Sequence, residues 1–393
     1  MADILNGNDI KNIAYYLPQF HAIPENDRAW GKGFTEWTNT KKAQPLFEGH
    51  YQPKVPLNQN YYSLLDVNVM IRQSELAKEY GVFGFCYYHY WFKDGKKLLE
   101  KPIEMMLNDK RVDIPFCLSW ANENWSKLWD GGNREVIVEQ DYGNESDWKA
   151  HFEYLVQFFQ DERYITLDGC PVFIIYRPSI IPNVQKMMKY WNELAQQYGF
   201  KKICFMIQSA DLYYSPIYIR GEFAYQIKFP PFYATTYLEK DMEKLKRLQK
   251  IGDLLGKVHC DKLFLSVYKK AKSIRDNKKT AANNSYTILE YDSTWKALLD
   301  SEAEDFLIEG AFVDWDNTAR KKNGYVHVGG TPEKFSYYMS RLYEKIANNK
   351  QCPVVFINAW NEWCEGAYLE PDEQHKYAYL EALKRAKEND LNV

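Results

Sequence analysis

The chain has 393 residues, of which 46% are hydrophobic and 26% charged, and its formal net charge is −3. This balance supplies a substantial core and excludes a disordered chain or a coiled coil, and it provides no global pull toward nucleic acid or an anionic membrane surface. No stretch approaches the ~18 apolar residues of a membrane span, and residues 1–11 lack the basic start and apolar run of a secretion signal, so no membrane span and a cytoplasmic location are expected.

Short apolar, β-branched or aromatic runs recur along the chain, separated by segments long enough for a helix. The first is Ile13–Leu17, followed by the helical pattern Val67–Tyr80 and the second run, Val82–Tyr88. Ile114–Ser119 comes next, then the helix Trp148–Phe159, the run Val172–Tyr176, the helix Val184–Tyr198 and the run Ile203–Gln208. Phe223–Ile227, Ala311–Asp314 and Val354–Asn358 complete eight runs, and Thr331 before Pro332 and Glu333 caps a helix over Pro332–Asn348. Eight strands with eight crossovers predict a (β/α)8 TIM barrel forming one domain over residues 1–393. A doubly wound sheet would carry a glycine-rich phosphate turn after an early strand, and here that turn reads Pro18-Gln19-Phe20-His21. An elaborated loop with its own basic helix (Leu238–Leu255) is expected around 228–294, where a solvated helix face explains the Lys/Arg run better than a partner surface.

Aromatic residues reach 16%, with 12 Trp and 31 Tyr. Pyranose rings present flat C–H faces that pack on such side chains, so the surplus suits a sugar site, although Tyr covering surface hydrophobic patches explains the composition equally well. The 7 cysteines are scattered in apolar runs, without a CxxC pair or zinc spacing; they read as small buried hydrophobes, and no metal or other cofactor is expected.

In a barrel of this kind functional groups gather at the C-terminal ends of the strands. The first strand leads to Gln19 and His21, the second to His89, Tyr90 and Trp91, and the third to Trp120, Asn122, Glu123 and Trp125. The fourth leads to Arg177, the fifth to Ser209, the seventh to Asp314, Trp315 and Asp316, and the eighth to Trp360, Asn361, Glu362 and Glu365. This mixture of aromatic, amide and carboxyl groups predicts contacts to an oligo- or polysaccharide. Cleaving or forming a glycosidic bond passes through an oxocarbenium-like state and is best served by two carboxyls. Glu362 and Glu365, three apart just beyond the last strand, share one face of a helical turn and are the expected catalytic pair. Asn122-Glu123 reads either as a substrate contact or as a loop brace, and His21 and His89 as hydroxyl ligands or as satisfied structural histidines. Asp314-Trp315-Asp316 matches the Asp-x-Asp pattern of metal-dependent sugar-nucleotide transferases, but lies outside the nucleotide-binding fold that gives this pattern its meaning.

Longer blocks carry a family resemblance. They are Ala14 to His21 (AYYLPQFH, with Tyr16), Gly33 to Asn39 (GFTEWTN), Gly49 to Pro53 (GHYQP) and Gly84 to Phe92 (GFCYYHYWF, with Tyr88). Further on come Leu118 to Trp125 (LSWANENW), Tyr176-Arg177-Pro178, and Ala359 to Gly366 (AWNEWCEG) running into Leu369 to Asp372 (LEPD). Through these the chain resembles the WbsX-type family of bacterial polysaccharide biosynthesis proteins, related to glycoside hydrolase family 99. The resemblance implies a (β/α)8 barrel acting on a glycosidic bond. It implies Glu362 as a base on the sugar's own 2-hydroxyl, giving a 1,2-anhydro intermediate, and Glu365 as acid and then base, with retention. Cys364 stands where the hydrolase family usually has His, a departure that bears on substrate identity. The resemblance adds Glu36, Trp37, Tyr16 and Tyr88 as substrate contacts. Its family name also implies an alternative, glycosyl transfer in O-antigen or capsule assembly.

Overall fold

The computed structural model describes residues 1–7, 9–127, 135–209, 221–234, 286–321 and 323–390. Eight parallel strands close into a ring: β1 (Lys11–Tyr16), β2 (Gly84–Trp91), β3 (Phe116–Trp120), β4 (Cys170–Ile175), β5 (Cys204–Ser209), β6 (Tyr225–Lys228), β7 (Leu307–Phe312) and β8 (Val354–Asn358). Each pairs with the next, and β8 pairs with β1. This is the expected (β/α)8 barrel.

The helices outside it include α1 (Pro24–Trp30), α2 (Glu36–Lys42), α3 (Val67–Glu79), α4 (Lys101–Asn108) and α5 (Glu145–Phe159). Later in the chain come α6 (Val184–Gln197), α7 (Tyr291–Leu299), α8 (Pro332–Asn349) and α9 (Ala378–Asp390). α5 starts ahead of the expected Trp148 because Asn144 accepts the Ser146 N–H while Asp147 accepts the Asn144 N–H, a reciprocal cap. Thr331 caps α8 as its sequence indicates, accepting the Lys334 N–H at 3.2 Å. Most of the loop expected around 228–294, including Leu238–Leu255, lies outside the described residues. Among the described residues no helix is long and apolar enough to cross a membrane.

β7 begins at Leu307 and not at Ala311, because Glu309 and Gly310 interrupt the apolar pattern that marks a strand. Both are required by packing. Glu309 is fully buried and accepts from the Lys228 ammonium at 2.7 Å, with Lys345 of α8 at 3.0 Å. Lys228 also donates to the Ser301 hydroxyl and the Glu302 carbonyl, and burial, opposed by the Glu309 charge, lowers it to about 8. A Cβ on Gly310 would lie 1.9 Å from the Lys228 carbonyl oxygen, so only glycine lets β6 and β7 meet there.

The two-residue period of β2 decides which side chains reach the barrel interior. Tyr88 stacks on Tyr15 of β1 at 5.6 Å, and Tyr15 meets Phe229, just past β6, at 5.3 Å. Strands β1 and β6 are not neighbours, so these rings meet only across the interior. His89 and Trp91 point the other way, into the layer between barrel and helices. Replacing Glu309 with Ala leaves Lys228 and Lys345 buried together without their carboxylate; the expected loss is about 3–5 kcal/mol in urea unfolding.

Candidate active site

Beyond β8 the chain forms a short antiparallel pair, Asn361–Glu362 with Ala367–Tyr368, closed by a 3-10 turn over Trp363–Glu365. Gly366 ends that turn in the left-handed region at φ 63°. A Cβ there would lie 2.9 Å from the Asp316 nitrogen, and it is this nitrogen that donates to the Glu365 carbonyl at 2.6 Å. The loop after β7 therefore grips the turn through its backbone. It also sends Arg320 to an ion pair with the Glu365 carboxylate. From the opposite side Glu36, the first residue of α2, accepts the Cys364 N–H at 2.7 Å, and the Cys364 thiol donates to the Glu36 carbonyl at 3.1 Å. Glu362 ends the first strand of this pair and Glu365 ends the turn, so the short hairpin keeps both at one end of the barrel.

Three carboxyls and one guanidinium thus share this corner, with exposures of 7% for Glu362, 6% for Glu365 and 1% for Glu36. The Glu362 carboxyl accepts no hydrogen bond from the described residues. Burial and the neighbouring Glu36 carboxyl push it up to about 8, against the pull of Arg320. Burial also raises Glu36, again opposed by Arg320 and by the Cys364 N–H. Burial and then Glu362 raise the Tyr88 and Tyr90 hydroxyls, which brings both phenols to the same corner. Tyr88 is held by the Gln208 amide at 3.2 Å, itself fixed by the Ser119 hydroxyl at 2.8 Å.

Of the other expected contacts, Gln19 is fully buried with neither amide atom bonded to any described residue. His21 is buried and lowered to about 4 by desolvation and the Lys101 ammonium. Glu123 and Arg177 pair at 2.8 Å, each nearly half exposed. Asp314 lies 3.6 Å from the Lys54 ammonium, and burial raises its carboxyl.

Several residues expected at the sugar serve the scaffold. Tyr16 donates to Gln73 of α3 at 2.6 Å, on the helix side of β1. Trp37 donates to the Tyr62 carbonyl and packs on Phe20, Tyr62 and Trp363. His89 bonds His151 of α5 at 2.8 Å, Trp91 stacks on that ring at 4.6 Å, and Trp120 meets it edge-on. Trp125 donates to Asn26 at 2.9 Å. Asn122 takes the Arg177 N–H and donates to its carbonyl, the loop-bracing alternative, and Asn361 likewise exchanges hydrogen bonds with the Leu17 backbone. Trp315 and Trp360 are buried against Phe232 and Phe85. Asp316 accepts from His50 at 2.8 Å, Gln52 at 2.5 Å, and the Thr318 N–H and hydroxyl at 3.0 and 2.6 Å. Although burial raises it, these bonds hold its carboxyl below the usual range. Four protein donors occupy the acceptor positions that a metal-ligand reading of Asp314-Trp315-Asp316 requires.

The sequence reading missed Tyr15 and Arg320. Arg320 opens a basic run that continues with Lys321 and reads as solvated surface. Tyr15 is separated from Tyr16 only by strand phase, which the sequence of a strand buried on both faces does not mark.

Carboxyls, phenols and amides are thus buried together at one rim of a (β/α)8 barrel, the end at which barrels of this class carry their functional groups. The sequence profile described as Glycosyltransferase WbsX matches residues 12–383, and the chain belongs to that family. Two proteins named uncharacterized protein WxcX, from two strains of Xanthomonas campestris pv. campestris, are 34% and 33% identical over 377 residues, 95% of this chain and 49% of theirs. The chain thus spans about half the length of the curated relatives it matches. Among solved structures it is similar to a GH99 endo-alpha-mannosidase from Bacteroides thetaiotaomicron in complex with bis-tris-propane, at 12% identity and a TM-score of 0.55 over 98% of each chain. A glycoside hydrolase-like protein gives 11% and 0.54 over 97% of this chain and 94% of that one. At such identities the likeness is one of fold.

His89 is lowered to about 3 and His151 well below its ordinary value, both chiefly by burial. An unfolded histidine takes up a proton near pH 6.5, so each folded one removes stability as pH falls below that value, about 2 kcal/mol between pH 7 and 5. The same fall in urea-unfolding free energy is expected to shrink by about that amount in His151→Gln. An unchanged fall would show that the native pair takes up protons.

Proposed function

We propose that the barrel is a retaining glycoside hydrolase or transglycosylase acting on an oligo- or polysaccharide, with Glu362 and Glu365 as its working pair. The observation that carries this reading is the asymmetry of the two carboxyls. Glu362 is buried without a hydrogen-bond partner among the described residues, while Glu365 is paired with Arg320. A carboxyl pushed up to about 8 is a stronger proton acceptor than an ordinary one and is poised near neutral pH.

The working form has one proton on the pair, with Glu362 as the carboxylate and Glu365 as the neutral acid. In the proposed sequence Glu362 takes the proton of the sugar's 2-hydroxyl as that oxygen attacks C1. Glu365 protonates the departing glycosidic oxygen, and the products are a 1,2-anhydro sugar and a free alcohol. An incoming hydroxyl then gives its proton to Glu365 and attacks C1, while the opened 2-oxygen recovers its proton from Glu362. Water as acceptor gives hydrolysis and a saccharide hydroxyl gives transglycosylation. Arg320 favours the Glu365 carboxylate left after protonation of the leaving group. The enzymes named as endo-alpha-mannosidases make an α-linked mannoside the first substrate to try.

The family description as a glycosyltransferase favours a second reading, transfer from a nucleotide sugar. Calorimetric titration with UDP, GDP, dTDP and CMP, each with and without manganese, separates the two. The glycosidase reading expects no binding, and metal-dependent binding of one nucleotide would replace it. On a cleavable glycan, Glu362→Gln and Glu365→Gln are each expected to lose at least ~100-fold in rate with the thermal melt unchanged; full activity in either ends the assignment. The rate should rise with pH through about 8 as Glu362 ionises, whereas a fall through that value would give Glu362 the acid role.

A further inference from the structure

Glu36 opens α2, far from Glu362 and Glu365 in sequence, yet it reaches the turn between them. Its backbone N–H donates to the Gln19 carbonyl at 3.0 Å, fixing the start of α2 to the loop after β1. Its Oε1 accepts the Cys364 N–H at 2.7 Å. Its carbonyl accepts both the Cys364 thiol and the Thr40 hydroxyl, and these two lie 3.2 Å apart. Its Oε2 is buried and makes no hydrogen bond with any described residue. A carboxyl with one oxygen bound to the scaffold and the other unoccupied is costly in a core, and it fits a site where a ligand hydroxyl completes the shell.

We infer that Glu36 is the third carboxyl of the site: a positioning residue that holds the Glu362–Glu365 turn through the Cys364 N–H and offers its free oxygen to a substrate hydroxyl. This rests on the reading of Glu362 and Glu365 as the working pair. The groups around Glu362 are Glu36 from α2, Arg320 from the loop after β7, Tyr88 and Tyr90 from β2, and Glu365 on its own turn. Arg320 is the cation among them, so the charge on Glu36 works directly against ionisation of Glu362.

Two substrate-free measurements on the full chain test this, so that their failure is distinct from failure of the glycosidase reading. In the first, glutamate side chains carry 13C at the carboxyl, and the resonance missing from Glu362→Gln identifies Glu362. Glu36→Gln keeps an acceptor for the Cys364 N–H and removes the charge, and the Glu362 titration midpoint should fall by at least one pH unit. In the second, hydrogen exchange at the Cys364 amide should accelerate at least tenfold in Glu36→Ala relative to the amides of β8, and Glu36→Gln should restore its protection. An unmoved midpoint in a folded Glu36→Gln, or equal Cys364 protection in Glu36→Ala and the native chain, would overturn the proposal.

Discussion

The turn at Trp363–Glu365 belongs to no barrel strand, and its position depends on a few hydrogen bonds from outside itself. The Asp316 N–H holds the Glu365 carbonyl from the loop after β7, and Glu36 holds the Cys364 N–H from α2. These two bonds come from the chain following β7 and the chain following β1, the two strands flanking β8. Glu370 adds a third tie. It accepts from Tyr62, Gln73 and the Trp363 indole, and burial raises its carboxyl to about 7. The carboxyl pair is thereby fixed to the barrel and not to one flexible loop, which catalysis by prepositioned groups requires. Asp316 contributes twice, since its side chain also gathers His50 and Gln52 from the loop after β1.

The aromatic surplus has a different destination from the one its chemistry first suggests. Much of it fills the layer between strands and helices. Trp91, Trp120 and Trp191 surround His151, and Trp295 stacks between Phe312 and Tyr338. Large flat rings fill the wide gap between a barrel and its helix layer, where aliphatic side chains leave voids. The rings on the inner side include Tyr15, Tyr88 and Tyr90, and their phenols add hydrogen-bonding capacity beside the carboxyls. Composition therefore reports the size of this interlayer as much as it reports a sugar site.

The barrel was legible in the sequence because each strand is a short apolar run bounded by turn residues. β8 was found with its observed bounds, whereas β7 was shortened because Glu309 and Gly310 look like a strand break until the Lys228 partnership is seen. The location of Glu362 and Glu365 was equally legible, since it needs only the end of the last strand. Strand phase was not. Rim position put His89, Trp91 and Trp120 in contact with sugar and the family resemblance added Tyr16, but the two-residue alternation turns all four toward the helices. Asn122 and Asn361 show a similar limit: an amide that binds hydroxyls is equally good at bracing two backbones, and only its partners distinguish the roles. Arg320 was invisible because its significance is entirely three-dimensional.

The charge count of the site bears on the choice between donors. Among the described residues Glu36, Glu362 and Glu365 surround one guanidinium, and in a buried environment three carboxylates sharing a single cation resist full ionisation. Glu365 has the cation and Glu36 has the Cys364 N–H, so Glu362, which accepts no hydrogen bond from the described residues, is the group whose ionisation is most opposed. Its carboxylate, the form able to take a proton, is reached only as the pH rises through about 8. A neutral sugar ring adds no charge to this corner and supplies hydroxyls that the free oxygens accept. A nucleotide diphosphate would bring negative charges toward carboxyls whose one counter-ion among the described residues is already engaged, and Asp316 of the Asp-x-Asp pattern has its oxygens occupied by His50, Gln52 and Thr318. The electrostatics of the corner, as the described residues set them, thus suit a neutral ligand better than an anionic one.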